Sequence, residues 1–203
     1  MAKKRREPLY VAGGKWKRSR LYSGPTDKLK PTTELVRASV FNILQDQIHG
    51  ARFLDLYAGT GAVGIEALSR GARHVTFVEW DARNVALIRK NLQKFGALPQ
   101  ARILRMDVRQ ALRTLDAEGE PFEVIFLDPP YAEPQACPMT LEFLSISRLI
   151  KPGTSVVVQS HRSLVLRERY GPLVLRKRYP YGVTVLWVYD FWEDADSSLS
   201  GDL

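Results

Sequence analysis

A chain of 203 residues, of which 45% are hydrophobic, can bury one α/β core but is too short for a catalytic domain plus a large separate recognition domain. Its formal net charge of +8 and its isoelectric point of about 9.7 favour a polyanionic partner such as nucleic acid. A single cysteine, Cys137, excludes an internal disulfide and a zinc site of paired cysteines, and we expect it to be an inert thiol. Without an apolar run long enough to span a bilayer, the chain is expected to be cytoplasmic and to bind no membrane.

Positive charge is concentrated at the amino-terminal end. Residues 10–21 place apolar residues around a Gly13-Gly14 pair, which predicts a small β-hairpin or ordered loop, whereas residues 1–8 are expected to form a flexible tail. Cations interleaved with an aromatic ring suit RNA backbones and unstacked bases. The nucleic-acid contacts predicted at this end are Lys15, Trp16, Arg18, Arg20 and Lys30.

Residues 31–34, Pro-Thr-Thr-Glu, predict the start of a helix capped by Thr32 or Thr33. Its apolar stripe consists of Val36, Val40, Ile43 and Leu44. Arg37 is expected to face away from that stripe, either as a solvated charge or as a clamp on a carboxylate or phosphate. We include Arg37 among the candidate nucleic-acid contacts.

Strands and helices alternate from residue 51 onwards. The expected strands are 53–57, 75–79, 101–105, 124–127, 155–159, 174–179 and 183–191, and the expected helices are 61–70, 82–95, 108–115 and 140–149. This order predicts a Rossmann-like, doubly wound, mostly parallel α/β sheet of seven strands. The last two strands, joined by a turn at residues 180–182, are expected to form an antiparallel hairpin. The acidic, serine-rich tail at 193–203 is expected to be disordered.

The first predicted strand runs into a glycine turn. Gly59, Gly61 and Gly64 satisfy the G-x-G-x-x-G pattern, which alone would also fit a nicotinamide or flavin dinucleotide. Asp55, just before this turn, would repel a pyrophosphate but attract the ammonium group of S-adenosylmethionine. The glycines, with Ala58, would let the backbone approach that cofactor closely.

Acidic residues also follow the second and third predicted strands. Glu79 is placed to accept hydrogen bonds from both ribose hydroxyls, and Asp107 from the adenine amino group, while the backbone N–H of Met106 meets the adenine ring. A helix N-cap is an equally good explanation of Asp107 taken alone. Because the carboxyl ends of parallel strands meet at one crevice, the three acids together favour a cofactor site.

The apolar run Val124–Leu127 predicts a buried strand that ends in Asp128-Pro129-Pro130-Tyr131. Proline fixes its own φ and holds the preceding residue extended, so a carboxylate and a ring are presented on stiff backbone. A strand that ends in an ordinary Pro-Pro turn, without a functional role, would have the same four residues. No metal site is predicted, and the three histidines, His49, His74 and His161, are expected to be ordinary surface or structural residues.

These motifs in combination resemble the class I S-adenosylmethionine-dependent amino-methyltransferases. More narrowly, the chain resembles the bacterial 16S rRNA guanine-N2 methyltransferases that act on the small-subunit guanine numbered 966. The motifs that carry this resemblance, within residues 10–190, are Gly13-Gly14-Lys15-Trp16, Lys30-Pro31-Thr32-Thr33 with Val36-Arg37, residues 54–61, residues 66–72 and Phe126-Leu127 followed by Asp128–Tyr131. Lys30 and Glu34 stand where arginine and aspartate are commoner in the family, which removes the arginine fork at position 30.

The resemblance implies a basic RNA-binding extension at 1–30, a methyltransferase domain at 31–192 and a monomer acting on 16S rRNA in a partly or fully assembled small subunit. The Asp128 carboxylate and the Pro129 carbonyl would accept the two amino hydrogens of the guanine, and Tyr131 would stack on the extruded base. Two other functions remain possible: an adenine-N6 methyltransferase on DNA or RNA, and a non-catalytic RNA-binding assembly protein.

Overall fold

The computed structural model describes residues 8–24 and 33–193. They form two compact units, one ending at Leu112 and the other beginning at Arg113. The predictions for Lys30, for Thr32 as a helix cap and for both chain termini lie outside the described residues. Among the residues that are described, no helix is both long and apolar enough to cross a membrane.

The first unit is built on three parallel strands in the order β3-β2-β1. Its helices and strands are α1 (Glu34–Ile43), α2 (Gln45–Ile48), β1 (Arg52–Leu56), α3 (Ala62–Ser69), β2 (His74–Val78), α4 (Ala82–Lys94) and β3 (Ala101–Leu104), with 3-10 turns at Gly14–Trp16 and Leu98–Gln100. Helix α5 (Val108–Glu118) contains the boundary between the units. Every residue of α3 is buried, and Gly64 is required within it because a Cβ there would lie 2.3 Å from the Phe77 ring.

Helix α1 begins as predicted, with Thr33 as its N-cap: the Thr33 hydroxyl accepts the Val36 N–H at 3.3 Å. The amino-terminal segment 8–24 forms the expected ordered loop. Tyr10 and Arg20 form an antiparallel bridge, and the backbone N–H of Arg18 donates to the carbonyl oxygen of Val11 at 2.8 Å. Sequence alone therefore predicted the order of this segment correctly.

The second unit contains strands in the order β4-β5-β8-β7-β6, with β4 and β5 parallel and the remaining pairs antiparallel. Its elements are β4 (Val124–Leu127), α6 (Ala136–Ser145), β5 (Ser155–His161), β6 (Arg169–Tyr170), β7 (Leu173–Tyr181) and β8 (Thr184–Phe191). The predicted Rossmann-like fold with a carboxyl-terminal antiparallel hairpin is confirmed. The described residues hold eight strands instead of seven, because two-residue β6 is too short to leave a periodic signal.

Helix α6 lies four residues earlier than predicted at each end. The helix was expected over residues 140–149, whereas α6 begins at Ala136. Proline is tolerated in a first helical turn, where its missing N–H would have no partner in any case, and Pro138 occupies that turn.

Candidate active site

The glycine turn of the first unit has unusual backbone geometry. Tyr57, Gly59 and Gly61 all have positive φ values, of 64°, 54° and 76°. For Tyr57 this conformation is strained, and such strain is concentrated at functional sites. Asp55 is only 1% exposed, and its Oδ2 accepts the Gly64 N–H at 2.9 Å. The observed role of Asp55 is to tie β1 to the start of α3, and its contact with a cofactor ammonium stays a prediction.

Glu79 connects the glycine turn to the end of β2. Its Oε2 accepts the Gly59 N–H at 2.8 Å, and its Oε1 accepts the Asp81 N–H at 2.7 Å. The side chain is 6% exposed, and this burial raises the pKa of Glu79 above its ordinary value despite the opposing hydrogen bonds. Ala58 strengthens the same junction, since its N–H donates to the Val78 carbonyl at 2.9 Å.

Asp107 follows β3 and caps α5. Its Oδ1 accepts the Arg109 N–H at 2.9 Å, and its carbonyl oxygen accepts the Ala111 N–H at 2.9 Å. The side chain is 59% exposed. The helix-cap explanation left open by the sequence is therefore confirmed. Contacts of Asp107 and of half-buried Met106 with adenine stay predictions.

The hydrogen-bond donors of the glycine turn indicate which cofactor fits. In dinucleotide-binding turns, backbone N–H groups are directed at the phosphates. Here the N–H groups of Gly59 and Gly64 are already bound to the carboxylates of Glu79 and Asp55. A phosphate here would meet two carboxylates instead of two free donors, whereas the ammonium and ribose hydroxyls of S-adenosylmethionine are donors that would find acceptors.

Asn84 of α4 adds an acceptor that the sequence did not reveal. The residue is 4% exposed, and its side chain forms a hydrogen bond with Glu79. Its Oδ1 is buried and has no hydrogen-bond partner within the part of the chain that the structure describes. An unpaired buried oxygen beside Glu79 suits a hydroxyl donor such as a ribose.

Pro129, Pro130 and Tyr131, which follow Asp128, line a pocket in the second unit. The pocket has a volume of about 110 Å³, and residues from β5 and the following turn line its other side. Tyr131 is held in place twice: its hydroxyl group is 2.9 Å from Thr184 Oγ1, and its ring meets the edge of His161 at a centroid distance of 5.5 Å. His161, predicted to be an ordinary residue, thus belongs to the pocket.

The Asp128 carboxylate influences two groups near this pocket. Burial, followed by the negative charge of Asp128, raises the pKa of Cys137 to about 12. The thiol is therefore protonated at neutral pH, as expected of an inert cysteine. Burial and, to a smaller extent, Asp128 also raise the pKa of Tyr131, so its hydroxyl stays neutral.

Arg37 was wrongly predicted to contact nucleic acid. The side chain is 0% exposed, and its Nε donates to Glu66 Oε2 at 2.8 Å. Arg37 also donates to the Tyr10 carbonyl, while Glu66 accepts the Ala12 N–H and two hydrogen bonds from Arg70. Of the two alternatives that the sequence left open, Arg37 is the clamp on a carboxylate. It anchors the amino-terminal segment to α3 and cannot reach RNA.

The remaining residues of the predicted RNA contact differ in exposure. Lys15, Arg18 and Arg20 are exposed. Trp16 is half-buried and stacks on Phe95 at a centroid distance of 4.5 Å, and its backbone N–H donates to Ser69 Oγ at 2.9 Å. Its ring thus packs within the protein, and the expectation that it stacks on a base has no geometric support. The three cations stay predicted RNA contacts.

Helix α4 places further cations beside this segment. Lys94 Nζ donates to the Arg20 carbonyl at 2.6 Å, and Lys90 Nζ lies 3.9 Å from the centroid of the Tyr22 ring. Sequence reasoning missed both lysines because they are distant in the chain from the basic end. The exposed basic surface of the first unit therefore includes part of α4.

The family model described as "Conserved hypothetical protein 95" matches residues 9–190. The chain belongs to this family. It is 35% identical over 160 residues to "Putative rRNA methyltransferase YlbH" of Bacillus subtilis, covering 79% of this chain and 86% of the relative. It is 32% identical over 154 residues to "Ribosomal RNA small subunit methyltransferase D" of Haemophilus influenzae, covering 75% and 78%. The resemblance to the bacterial 16S rRNA methyltransferases, a class I S-adenosylmethionine-dependent family, is confirmed.

Two solved structures have a fold similar to that of this chain. A "Putative methyltransferase yhhF" from Escherichia coli superposes with a TM-score of 0.80 at 28% identity, covering 92% of this chain and 99% of that one. A "putative sam-dependent methyltransferase" from Streptococcus mutans shares the fold with a TM-score of 0.66 at 14% identity, covering 84% of this chain and 52% of that one. The likeness in fold thus covers 92% of this chain in the first comparison and 84% in the second.

Proposed function

We propose that the protein transfers the methyl group of S-adenosylmethionine to the exocyclic N2 of one guanine in 16S rRNA, the 966-type position of its family. The observation that carries this proposal is the pairing of the Gly59 and Gly64 N–H groups with carboxylates, which favours an adenosyl cofactor over a dinucleotide. The relatives named as rRNA methyltransferases support the substrate. The protein acts in the cytoplasm as a monomer.

The residues of the first unit bind the cofactor in this proposal. Glu79, as a carboxylate, accepts the ribose hydroxyls, and the Asn84 oxygen provides a further acceptor. Asp55 orders the turn in which Ala58, Gly59 and Gly61 bring the backbone against the cofactor. Met106 and Asp107 meet the adenine ring. When bound, S-adenosylmethionine supplies an electrophilic methyl group.

Asp128 and Pro129 make the guanine amino group reactive. Its nitrogen is a poor nucleophile because the lone pair is delocalised into the ring. The Asp128 carboxylate and the Pro129 carbonyl oxygen accept one amino hydrogen each, which concentrates the lone pair on nitrogen. The nitrogen would take the methyl group of bound S-adenosylmethionine, which would leave as S-adenosylhomocysteine, and Asp128 would accept the proton that the nitrogen releases.

Tyr131 supports the base in the same pocket. Stacking of a base on an aromatic ring contributes about 1–3 kcal/mol. The contacts with Thr184 and His161 hold the ring in position before the base arrives, so less conformational entropy is lost on binding.

Lys15, Arg18 and Arg20 hold the rRNA backbone, together with Lys90 and Lys94 of α4. Their charges act on phosphates and contribute affinity without reading sequence. Specificity for one nucleotide then comes from the pocket and from the shape of the rRNA, either alone or in a partly or fully assembled small subunit.

Transfer of a labelled methyl group tests this function. The purified protein is incubated with naked 16S rRNA, with small subunits lacking the modification and with duplex DNA, and the products are digested to nucleosides. We expect label in N2-methylguanosine from one of the two rRNA substrates. Label in N6-methyladenosine, or no transfer to any substrate while the cofactor binds, would contradict the proposal and favour the adenine methyltransferase or the assembly protein, respectively.

A further inference from the structure

Gln159 is a buried polar residue whose side-chain oxygen has no hydrogen-bond partner in the described part of the chain. It lies in β5 and is 5% exposed, and its Oε1 has no hydrogen-bond partner among residues 8–24 and 33–193. Buried side-chain oxygens are nearly always paired, and leaving one unpaired costs free energy. The three residues before it, Val156, Val157 and Val158, are apolar and fully buried. The fold alone therefore gives no reason for an amide at this position.

The position of Gln159 explains why an amide is present. Gln159 is one of the residues that line the same pocket as Pro129 and Tyr131 of the proposed catalytic segment. Three other polar side chains on this wall, Ser160, His161 and Ser163, each have a hydrogen-bond partner. Ser160 Oγ accepts the Trp187 Nε1–H at 3.0 Å, and His161 Nδ1 lies 2.7 Å from Ser163 Oγ.

We propose that Gln159 identifies the base, by accepting the N1–H of guanine on its amide oxygen. This inference rests on the proposed function. In guanine, the N1–H is adjacent to the 2-amino group that Asp128 and Pro129 bind. A carbonyl oxygen in the same pocket meets that hydrogen as a complementary acceptor, and the hydrogen bond removes the penalty for the unpaired oxygen.

The contact distinguishes guanine from bases that share its amino group. In 2,6-diaminopurine the 2-amino group is retained, but N1 carries no hydrogen and is itself an acceptor. The Gln159 oxygen would then face a second acceptor and would remain unpaired. A site built to bind a substrate N–H discriminates strongly against an analogue that lacks it, because the protein group is left unpaired.

The test compares guanine with 2,6-diaminopurine at the methylated position of the rRNA that the protein modifies, prepared by ligation of a synthetic segment. The ratio of kcat/KM for the two substrates is measured for the wild-type protein, Gln159→Glu and Gln159→Met. Glutamate keeps an acceptor oxygen, and methionine keeps the length of the side chain without it. We expect the wild-type protein and Gln159→Glu to prefer guanine, and Gln159→Met to lose at least about tenfold of that preference.

Gln47→Met is the matched control. Gln47 also has a buried Oε1 without a partner among the described residues, but it lies in α2 of the first unit and does not line the pocket. Its substitution should leave the base preference unchanged. An equal preference in Gln159→Met and the wild-type protein would overturn the role of Gln159. If the wild-type protein modified no guanine at all, the proposed function would fail instead.

Discussion

Two buried polar regions of this protein differ in one respect, the pairing of their hydrogen-bonding atoms. Glu66 is 0% exposed and accepts hydrogen bonds from Arg37, Arg70 and the Ala12 N–H. Gln159 is 5% exposed, and its oxygen is unpaired within the described part of the chain. The paired region holds the amino-terminal segment in place, and the unpaired one lines the pocket where we place the base. In this pair of regions, the paired group supports the fold, and the unpaired group is the one that we place against a ligand.

The largest effect is expected when the paired region is broken. Glu66→Ala leaves Arg37 buried without its carboxylate, so the free energy of unfolding should fall by about 3–5 kcal/mol. Denaturant unfolding measures this loss. Glu142→Ala is the control, because Glu142 and its partner Arg167 are both more than half exposed and their ion pair contributes at most about 1 kcal/mol. Equal losses in the two variants would show that the buried cluster does not stabilise the fold.

Glu79→Gln removes a charge and leaves the side chain nearly the same size. A hydrogen bond to a charged acceptor contributes about 1.5–3 kcal/mol, so the affinity for S-adenosylmethionine should fall by about 10- to 150-fold. Isothermal titration calorimetry measures the affinity directly. Asp81→Asn serves as the control, because Asp81 pairs with Arg83 at the surface. An unchanged affinity in Glu79→Gln would remove Glu79 from the cofactor site.

The raised pKa of Glu79 adds a dependence on pH. Only the carboxylate accepts hydrogen bonds from both ribose hydroxyls, so cofactor affinity should be full above this pKa and fall as the pH drops through it. The decline should begin at a higher pH than an ordinary glutamate would produce. Calorimetry from pH 7 downwards should show it in the wild-type protein and not in Glu79→Gln, and a decline of the same size in both would assign it to another group.

Neutralising Lys15, Arg18 and Arg20 together should weaken RNA binding by a smaller factor. Each phosphate contact that is lost lowers the slope of log affinity against log salt concentration by about 0.7–0.9. Filter binding at several salt concentrations measures this slope. The control triple variant changes Lys151, Arg167 and Arg176 to alanine, because each is already paired with an acid. If both triple variants lowered the slope equally, the amino-terminal cations would contribute only net charge.

Gln159→Met should have the smallest effect on stability, in contrast to Glu66→Ala. Replacing this amide with an apolar side chain of similar length removes a buried oxygen that has no partner in the described part of the chain, so the free energy of unfolding should change by less than about 1 kcal/mol. Thermal and denaturant unfolding provide the measurement. A loss comparable with that of Glu66→Ala would mean that Gln159 supports the fold, contrary to the comparison above.

The sequence predicted those parts of the site that depend on local pattern. The glycine turn follows a buried strand, Glu79 follows the next one, and the prolines after Asp128 mark a rigid segment, so each was recognisable from its neighbours. Arg37 was placed wrongly because its burial depends on Glu66, a partner in another helix. A helical stripe shows which face is apolar but not which charges become paired across the fold.

Gln159 illustrates a second feature that sequence alone does not predict, the pairing of a buried polar atom. A polar residue near the end of a strand is ordinary in sequence, and only the three-dimensional structure shows that its oxygen is buried and unpaired. The run Val156–Val158 before it did contain a signal, since an amide directly after three buried valines interrupts an apolar strand. Likewise, Asn84 and His161 can be assigned to the site only from their contacts in the structure. Asn84 contacts Glu79, and His161 contacts Tyr131.

The central claim is that Asp128 activates a guanine amino group for methylation. Single-turnover transfer of a labelled methyl group to the rRNA substrate, measured for Asp128→Ala beside the wild-type protein, tests it most directly. We predict that the variant binds S-adenosylmethionine with unchanged affinity and transfers the methyl group about 10²- to 10³-fold more slowly. Transfer at a rate close to that of the wild-type protein would contradict the claim.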